Sequence, residues 1–468
     1  MARFLFPGLA ALIALAPLPF GSNRLWAWSF IALLAGLLLL AWAASAWRQP
    51  ASEDLPVRRF MPAVAAFAIA LIWAFAQAIP GLPGIAPHPL WQQAGAALGG
   101  LSPNAAISLD PGATLTGAMR LLSYGVVFWL ALQLCRSTEL ANRLIWVVAL
   151  SGTAYAIYGL VVEFADLGTI LWYRKWAYRD ALTATFVNRN SFATYAGMVA
   201  ISALGLLASE FDHARTRAGT TIISIVDTID ALPARAYALI GCLIVIATAL
   251  LLTQSRAGVA SVAIGMVVFL IAYAIHRRRH IGSGRLAAAV LLVTVLLAVV
   301  SGRGVVDRLA NVETSLAGRT TVWAITRETT AQRPYAGSGL GTFADVYIAG
   351  RDDRLPAHTR PFEHAHNSYI ENALELGWPA ALALFASVIW LGFWCAWGVV
   401  VRRRHGIYPC VGLGALTVAA VHAGFDFSLQ IPAIALCLAG LLGAGCAQAN
   451  SSVERAPSSR DGVSRRES

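Results

Sequence analysis

Residues 236–253 read AYALIGCLIVIATALLLT, residues 254–258 read QSRAG, and residues 259–274 read VASVAIGMVVFLIAYA. The two uncharged runs are each close to the length that crosses about 30 Å of hydrocarbon at about 1.5 Å per residue, and almost no loop separates them. In hydrocarbon every backbone N–H and C=O must be paired within its own segment, so both runs are expected to be transmembrane helices. The turn between them nevertheless holds Gln254, Ser255 and Arg256.

The same pattern recurs along the chain. Further apolar stretches lie near 4–20, 26–46, 60–79, 116–135, 141–165, 190–208, 286–300, 380–401, 407–425 and 430–447. Of 468 residues, 58% are hydrophobic and 13% charged, and mean hydropathy is +0.64. Soluble domains carry roughly 25% charged residues, so lipid is the solvent this chain is built for. The expectation is an all-α, polytopic transmembrane helical bundle of about 12 spans, a single membrane domain over 1–450 with a disordered tail at 451–468. The first run, with Arg3 ahead of it and Pro17-Leu18-Pro19 after it, reads as a transmembrane helix rather than a cleaved signal.

Net charge is +11, and its placement gives an orientation. With the N-terminus in the cytoplasm and twelve spans, the Arg277–Arg279 and Arg402–Arg404 runs and the basic tail fall inside. Eight arginines fall outside in one stretch, 303–365, long enough to escape the positive-inside rule. Both termini are then cytoplasmic. The arginine runs suit anionic headgroups rather than nucleic acid. All six cysteines sit in or beside apolar runs without a CxxC, as free thiols, and no His/Cys cluster has metal-ligand spacing.

Ionisable residues beside the spans on the outer side are costly unless they serve a ligand. Residues 185–193 (TFVNRNSFA) open the sixth span with Asn188, Arg189 and Asn190. An Arg at a helix start opposes the macrodipole, which makes sense if an anion sits there, although Asn188 or Ser191 as a simple cap is the plainer reading. Arg256 beside Ser255 offers a planar fork suited to phosphate. In residues 363–377, Asn367, Glu371 and Glu375 form one helical stripe, with His366 at its outer end, where it is placed to act as a general base. Arg174 and Lys175, among the aromatics of 171–179, are either part of an interfacial belt or contacts for sugar and pyrophosphate. The glycine-rich GSGLG at 337–341 lacks the GK[ST] ending of a P-loop.

Four phrases in this order, TFVNRNSFATY (185–195), QSRAG (254–258), GSGLGTF (337–343) and HAHNSYIENALELGWPA (364–380), resemble the O-antigen ligase and polymerase family of bacterial membrane glycosyltransferases. The specific part covers 183–380, with 303–365 as a long periplasmic loop. The resemblance implies a fold similar to C-type membrane glycosyltransferases. It also implies transfer of a glycan from undecaprenyl pyrophosphate to an acceptor sugar, on lipid A core or on a growing polysaccharide, at the periplasmic face of the inner membrane. The family works without metal or nucleotide cofactor. By motif, its pyrophosphate-binding arginines fall on Arg189 and Arg256 and its catalytic histidine on His366. Asn188, Asn190, Ser255, Arg174, Lys175, His364, Asn367, Glu371 and Glu375 are the expected substrate contacts. Either carboxylate could orient His366, though both stand at poor helical spacing from it. A transporter or flippase for an anionic lipid-linked substrate is the alternative from another class, although no paired halves are visible.

Overall fold

The computed structural model describes residues 2–47, 57–100, 103–217, 232–277, 305–350, 354 and 362–450. The span expected at 286–300 and the tail 451–468 lie outside the described residues. The protein is an all-α polytopic membrane protein, the exception among the described residues being a hairpin of β1 (Thr169–Ile170) and β2 (Tyr173–Arg174).

Among the described residues, eight helices are long and apolar enough to span a membrane: α2 (Leu25–Trp47), α5 (Pro111–Leu134), α6 (Thr138–Phe164), α7 (Arg189–Arg217), α8 (Ala234–Leu252), α9 (Arg256–His276), α13 (Trp378–Val401) and α15 (Pro432–Asn450). Three shorter apolar helices, α1 (Ala2–Leu15), α3 (Met61–Gln77) and α14 (Ile407–Ala423), fill further expected places, and a short helix α4 (Leu90–Ala97) lies between α3 and α5. The apolar stretches of α7 and α15 are 94% buried, against 11% for α2. The first two are therefore the bundle's axis, and α2 presents Leu33, Leu37 and Leu40 outward, the arrangement lipid favours. Asp110 caps α5, Ser137 caps α6 and Ser255 caps α9, each side chain accepting from a backbone N–H of the first turn.

Alternate connections gather at opposite ends of the bundle. At one end Thr185 Oγ1 donates to Pro17 O (2.8 Å) and Gln254 Nε2 to Asp180 O (2.7 Å). At the other, Gln448 Nε2 donates to Cys135 O (2.7 Å) and Trp390 Nε1 to Arg59 O (2.9 Å). The chain thus threads back and forth as its apolar runs suggest.

The stretch 303–365, read from sequence as a loop, is largely helical over its described residues. α10 (Val305–Gln332) and α11 (Phe343–Gly350) pack with α12 (Ser368–Leu376) as a cap on the first of these ends. Val322, Ile325, Phe343, Val346, Tyr347 and Leu374 give the cap its own small core. Val322, Thr326 and Thr330 form a buried stripe four residues apart on α10, while Arg327 and Glu328 stay exposed. So polar a helix reads as loop until its narrow stripe is seen packed. Gln77 Nε2 ties the cap to α3, donating to Ala336 O and Glu375 O at 2.8 Å each.

Candidate active site

The three ionisable motifs meet at the cap end, and a fourth segment joins them. Asn188 is the plain cap of α7: its Oδ1 accepts from Asn190 N at 2.8 Å. Two residues on, Asn190 is buried, and its side chain faces one other motif and the fourth segment. Its Oδ1 accepts from Ser255 Oγ at 2.8 Å, while its Nδ2 donates to Asp426 Oδ2. Asp426 Oδ1 faces His366 Nδ1 at 3.1 Å. A continuous path, Ser255–Asn190–Asp426–His366, therefore links α9, α7, the turn after α14, and the entry to α12. Gly258 permits the first step, because a Cβ there would stand 2.5 Å from the Ala193 Cβ and push α9 off α7.

Asp426 is fully buried. Burial alone would raise its carboxyl, but the hydrogen bond and charge of His366, the charge of His422 and the Phe427 N–H outweigh it and hold the group down at about 2. An ionised Asp426 makes His366 Nδ1 the donor, so a neutral imidazole presents Nε2 as the base, the tautomer following from this geometry. His366 also has φ = +52°, a sparsely populated backbone state for a residue with a Cβ.

The carboxylates of the α12 stripe serve elsewhere. Glu371 Oε1 lies 2.7 Å from His364 Nδ1, and its Oε2 accepts from Ala365 N at 2.7 Å. Burial disfavours a charged His364, but Glu371 beside it, and then Glu375, raise it overall. Glu375 accepts from Phe343 N at 3.1 Å, and burial followed by the Glu371 charge raises its carboxyl. Neither orients His366; Asp426, absent from the sequence-derived set, does. Phe427 stacks on His364 (4.2 Å between centroids) and meets His366 edge-on (5.0 Å), so two His–carboxylate pairs flank one ring. Asn367 caps α12, accepting from Tyr369 N and Ile370 N, and its Nδ2 donates to Gly424 O at 3.0 Å. The GSGLG segment holds Glu375: Ser338 N and Gly339 N donate to Glu375 O. Gly337, at φ = +68°, would otherwise set a Cβ 2.3 Å from that carbonyl.

The cations divide into two groups. Arg189 is half-buried, 5.5 Å from the Tyr178 ring centroid, with its buried Nε unpartnered. Arg319 of α10, absent from the sequence-derived set, donates to Phe425 O at 3.2 Å. Arg256 opens α9 next to Ser255, with its side chain exposed. None of the three pairs with a carboxylate among the described residues. Lys175 instead turns inward, with Nζ donating to Ala181 O at 3.0 Å and lying 3.8 Å from Glu163, so it braces its own loop and stays outside the network. Arg174 is exposed on β2 and does not join it either. Among the described residues no three His, Cys, Asp or Glu side chains are grouped so as to hold a metal ion.

A family model described as O-antigen ligase matches residues 241–385. None of the curated proteins compared with the chain matches it. The matched segment contains Ser255, Arg256, Arg319, His364 and His366, while Arg189, Asn190 and Asp426 lie outside it.

Proposed function

From a chain that carries an O-antigen ligase family domain over 241–385, we propose an inverting, metal-independent glycosyltransferase. It moves a glycan from undecaprenyl pyrophosphate onto an acceptor sugar, in the manner of a ligase acting on lipid A core. The observation that carries this reading is the path Ser255–Asn190–Asp426–His366, which connects residues of three separate motifs at one end of the bundle. His366 Nε2 takes the proton of the acceptor hydroxyl, whose oxygen attacks the anomeric carbon. The bond from that carbon to the phosphate oxygen breaks, and its electron pair leaves with the diphosphate. Arg189, Arg256 and Arg319, without carboxylate partners among the described residues, stabilise that developing charge. Ser255, Asn188, Asn190, Asn367 and Glu371 shape the site, and His364, whose charged form Glu371 favours, adds a donor. Attack in a single displacement inverts the anomeric centre; retained stereochemistry would contradict it.

The site is assigned to the periplasmic face of the inner membrane with both termini cytoplasmic, supported by the arginines at the other end and by the lipid-linked donor chemistry. The test is complementation of a ligase-null and a polymerase-null strain, read as lipopolysaccharide ladders. A restored capped ladder in the ligase-null strain is expected. Restored chain length only in the polymerase-null strain would make the acceptor a growing polysaccharide. Restoration of neither, with the protein present in the membrane, would overturn the transferase reading.

A further inference from the structure

Beside the His366 pair, a groove of about 180 Å³ runs between α10 and α12, lined by Thr320, Trp323, Arg327, Asn367 and Ile370. Its capacity is an order of magnitude above what one water needs, and below the roughly 300 Å³ of pockets for drug-sized ligands. That is room for about one sugar ring. We propose that this groove holds the first pyranose of the lipid-linked donor, an inference that rests on the transferase reading above.

Trp323 is held in place by its Nε1, which donates to Ala365 O at 2.8 Å, the residue between the two histidines. With its one polar atom engaged, the indole is a fixed apolar platform. The negative face of such a ring complements the axial C–H groups of a pyranose. Arg327 is exposed and makes no ion pair or hydrogen bond among the described residues, so its planar set of donors is open to sugar hydroxyls. The groove's other wall begins at Asn367, next in sequence to His366. Along α10, Arg319 lies one turn from Trp323, and Trp323 one turn from Arg327. That helix therefore runs from the cation beside Phe425, suited to diphosphate, to a platform and donor suited to the sugar attached to it.

The test compares binding of two lipids, undecaprenyl diphosphate and undecaprenyl-diphosphate-linked N-acetylglucosamine, to the full-length protein in nanodiscs. The wild type is expected to bind the sugar-bearing lipid more tightly. Trp323→Ala and Arg327→Gln should each remove that advantage, a weakening of about tenfold at most, with the bare lipid bound as before. Trp323→Phe, which keeps a ring but loses the bond to Ala365, should retain most of it. Arg327 lies on an exposed face, so its variant keeps the test open if a Trp323 variant fails to fold. Equal binding of the two lipids by the wild type, or an advantage that survives Trp323→Ala or Arg327→Gln, overturns the sugar site and leaves the transferase reading standing. So does a Trp323→Phe loss as large as that of Trp323→Ala, which would point to the hydrogen bond rather than the ring. Failure of the wild type to bind either lipid overturns both.

Discussion

The two ends of the bundle are built from similar residues and used differently. At the end away from the cap, basic side chains meet acids: Arg235 reaches Glu210 at 2.7 Å, and Arg277 lies 3.0 Å from Asp212, which also accepts from Tyr273 Oη. Arg59 donates to Asn450 Oδ1 at 2.9 Å, tying the start of α3 to the end of α15. At the cap end Arg354 meets Glu328 on the surface at 2.6 Å, but Asp426 and Glu371 are engaged by histidines, and among the described residues Arg189, Arg256 and Arg319 have no acid partner. Backbone strain follows the same division. Of the nine described non-glycine residues with positive φ, only His405 lies at the far end, whereas Tyr178, Ala184, Gln254 and His366 lie around the site. One end fastens helices together. The other holds surplus cations and strained backbone in place, which is what a preformed anion site requires.

The strongest way to break this contrast is at the base. His366→Ala should lower transfer by about 10²–10⁴-fold while membrane insertion is unchanged, measured by glycan transfer in isolated membranes. Next come the arginines. Arg256→Ala should weaken donor binding by roughly 10- to 100-fold, with Arg256→Lys only partly restoring it, because an ammonium lacks the bidentate fork. Wild-type transfer in Arg256→Ala membranes would remove that residue from the site.

A smaller effect concerns His364. Its raised value means that the charged pair with Glu371 contributes stability fully below the unfolded value of 6.5, lost as pH rises through the native value. Thermal unfolding of wild type against His364→Gln should therefore show a gap that narrows as pH climbs from 6 upward; a gap that widens would mean the imidazole is held neutral.

Lys175→Met should cost about 1–3 kcal/mol, seen as a lower unfolding temperature in detergent, with transfer kinetics unaltered. Smallest of all, Arg277→Ala at the far end should cost less than about 1 kcal/mol and leave transfer unchanged.

Most of the fold was legible because apolar runs in lipid have one structural solution, so length and hydropathy sufficed for α2, α5 to α9, α13 and α15. The cap was not. α10 is polar over most of its length, and the partners of its narrow buried stripe lie on α11 and α12. Within the site, Arg189, Arg256 and His366 stood out as ionisable residues beside apolar runs. Asp426 carried the same signal, being the only acidic residue between Glu375 and Glu454. Its role was still hidden, because its partners Asn190 and His366 are 236 and 60 residues away and no periodicity spans such a gap. Lys175 misled for a related reason: a loop rich in aromatics and cations does not reveal which of its cations turns inward.

The most direct test is the single-turnover rate of purified Asp426→Asn at saturating lipid-linked donor, beside its donor affinity. If the buried carboxylate fixes the imidazole of His366 as a base, the rate should fall by about 10²-fold or more while donor affinity stays close to wild type. Transfer at the wild-type rate by a folded Asp426→Asn protein would contradict that role and, with it, base catalysis through the network that joins the three motifs.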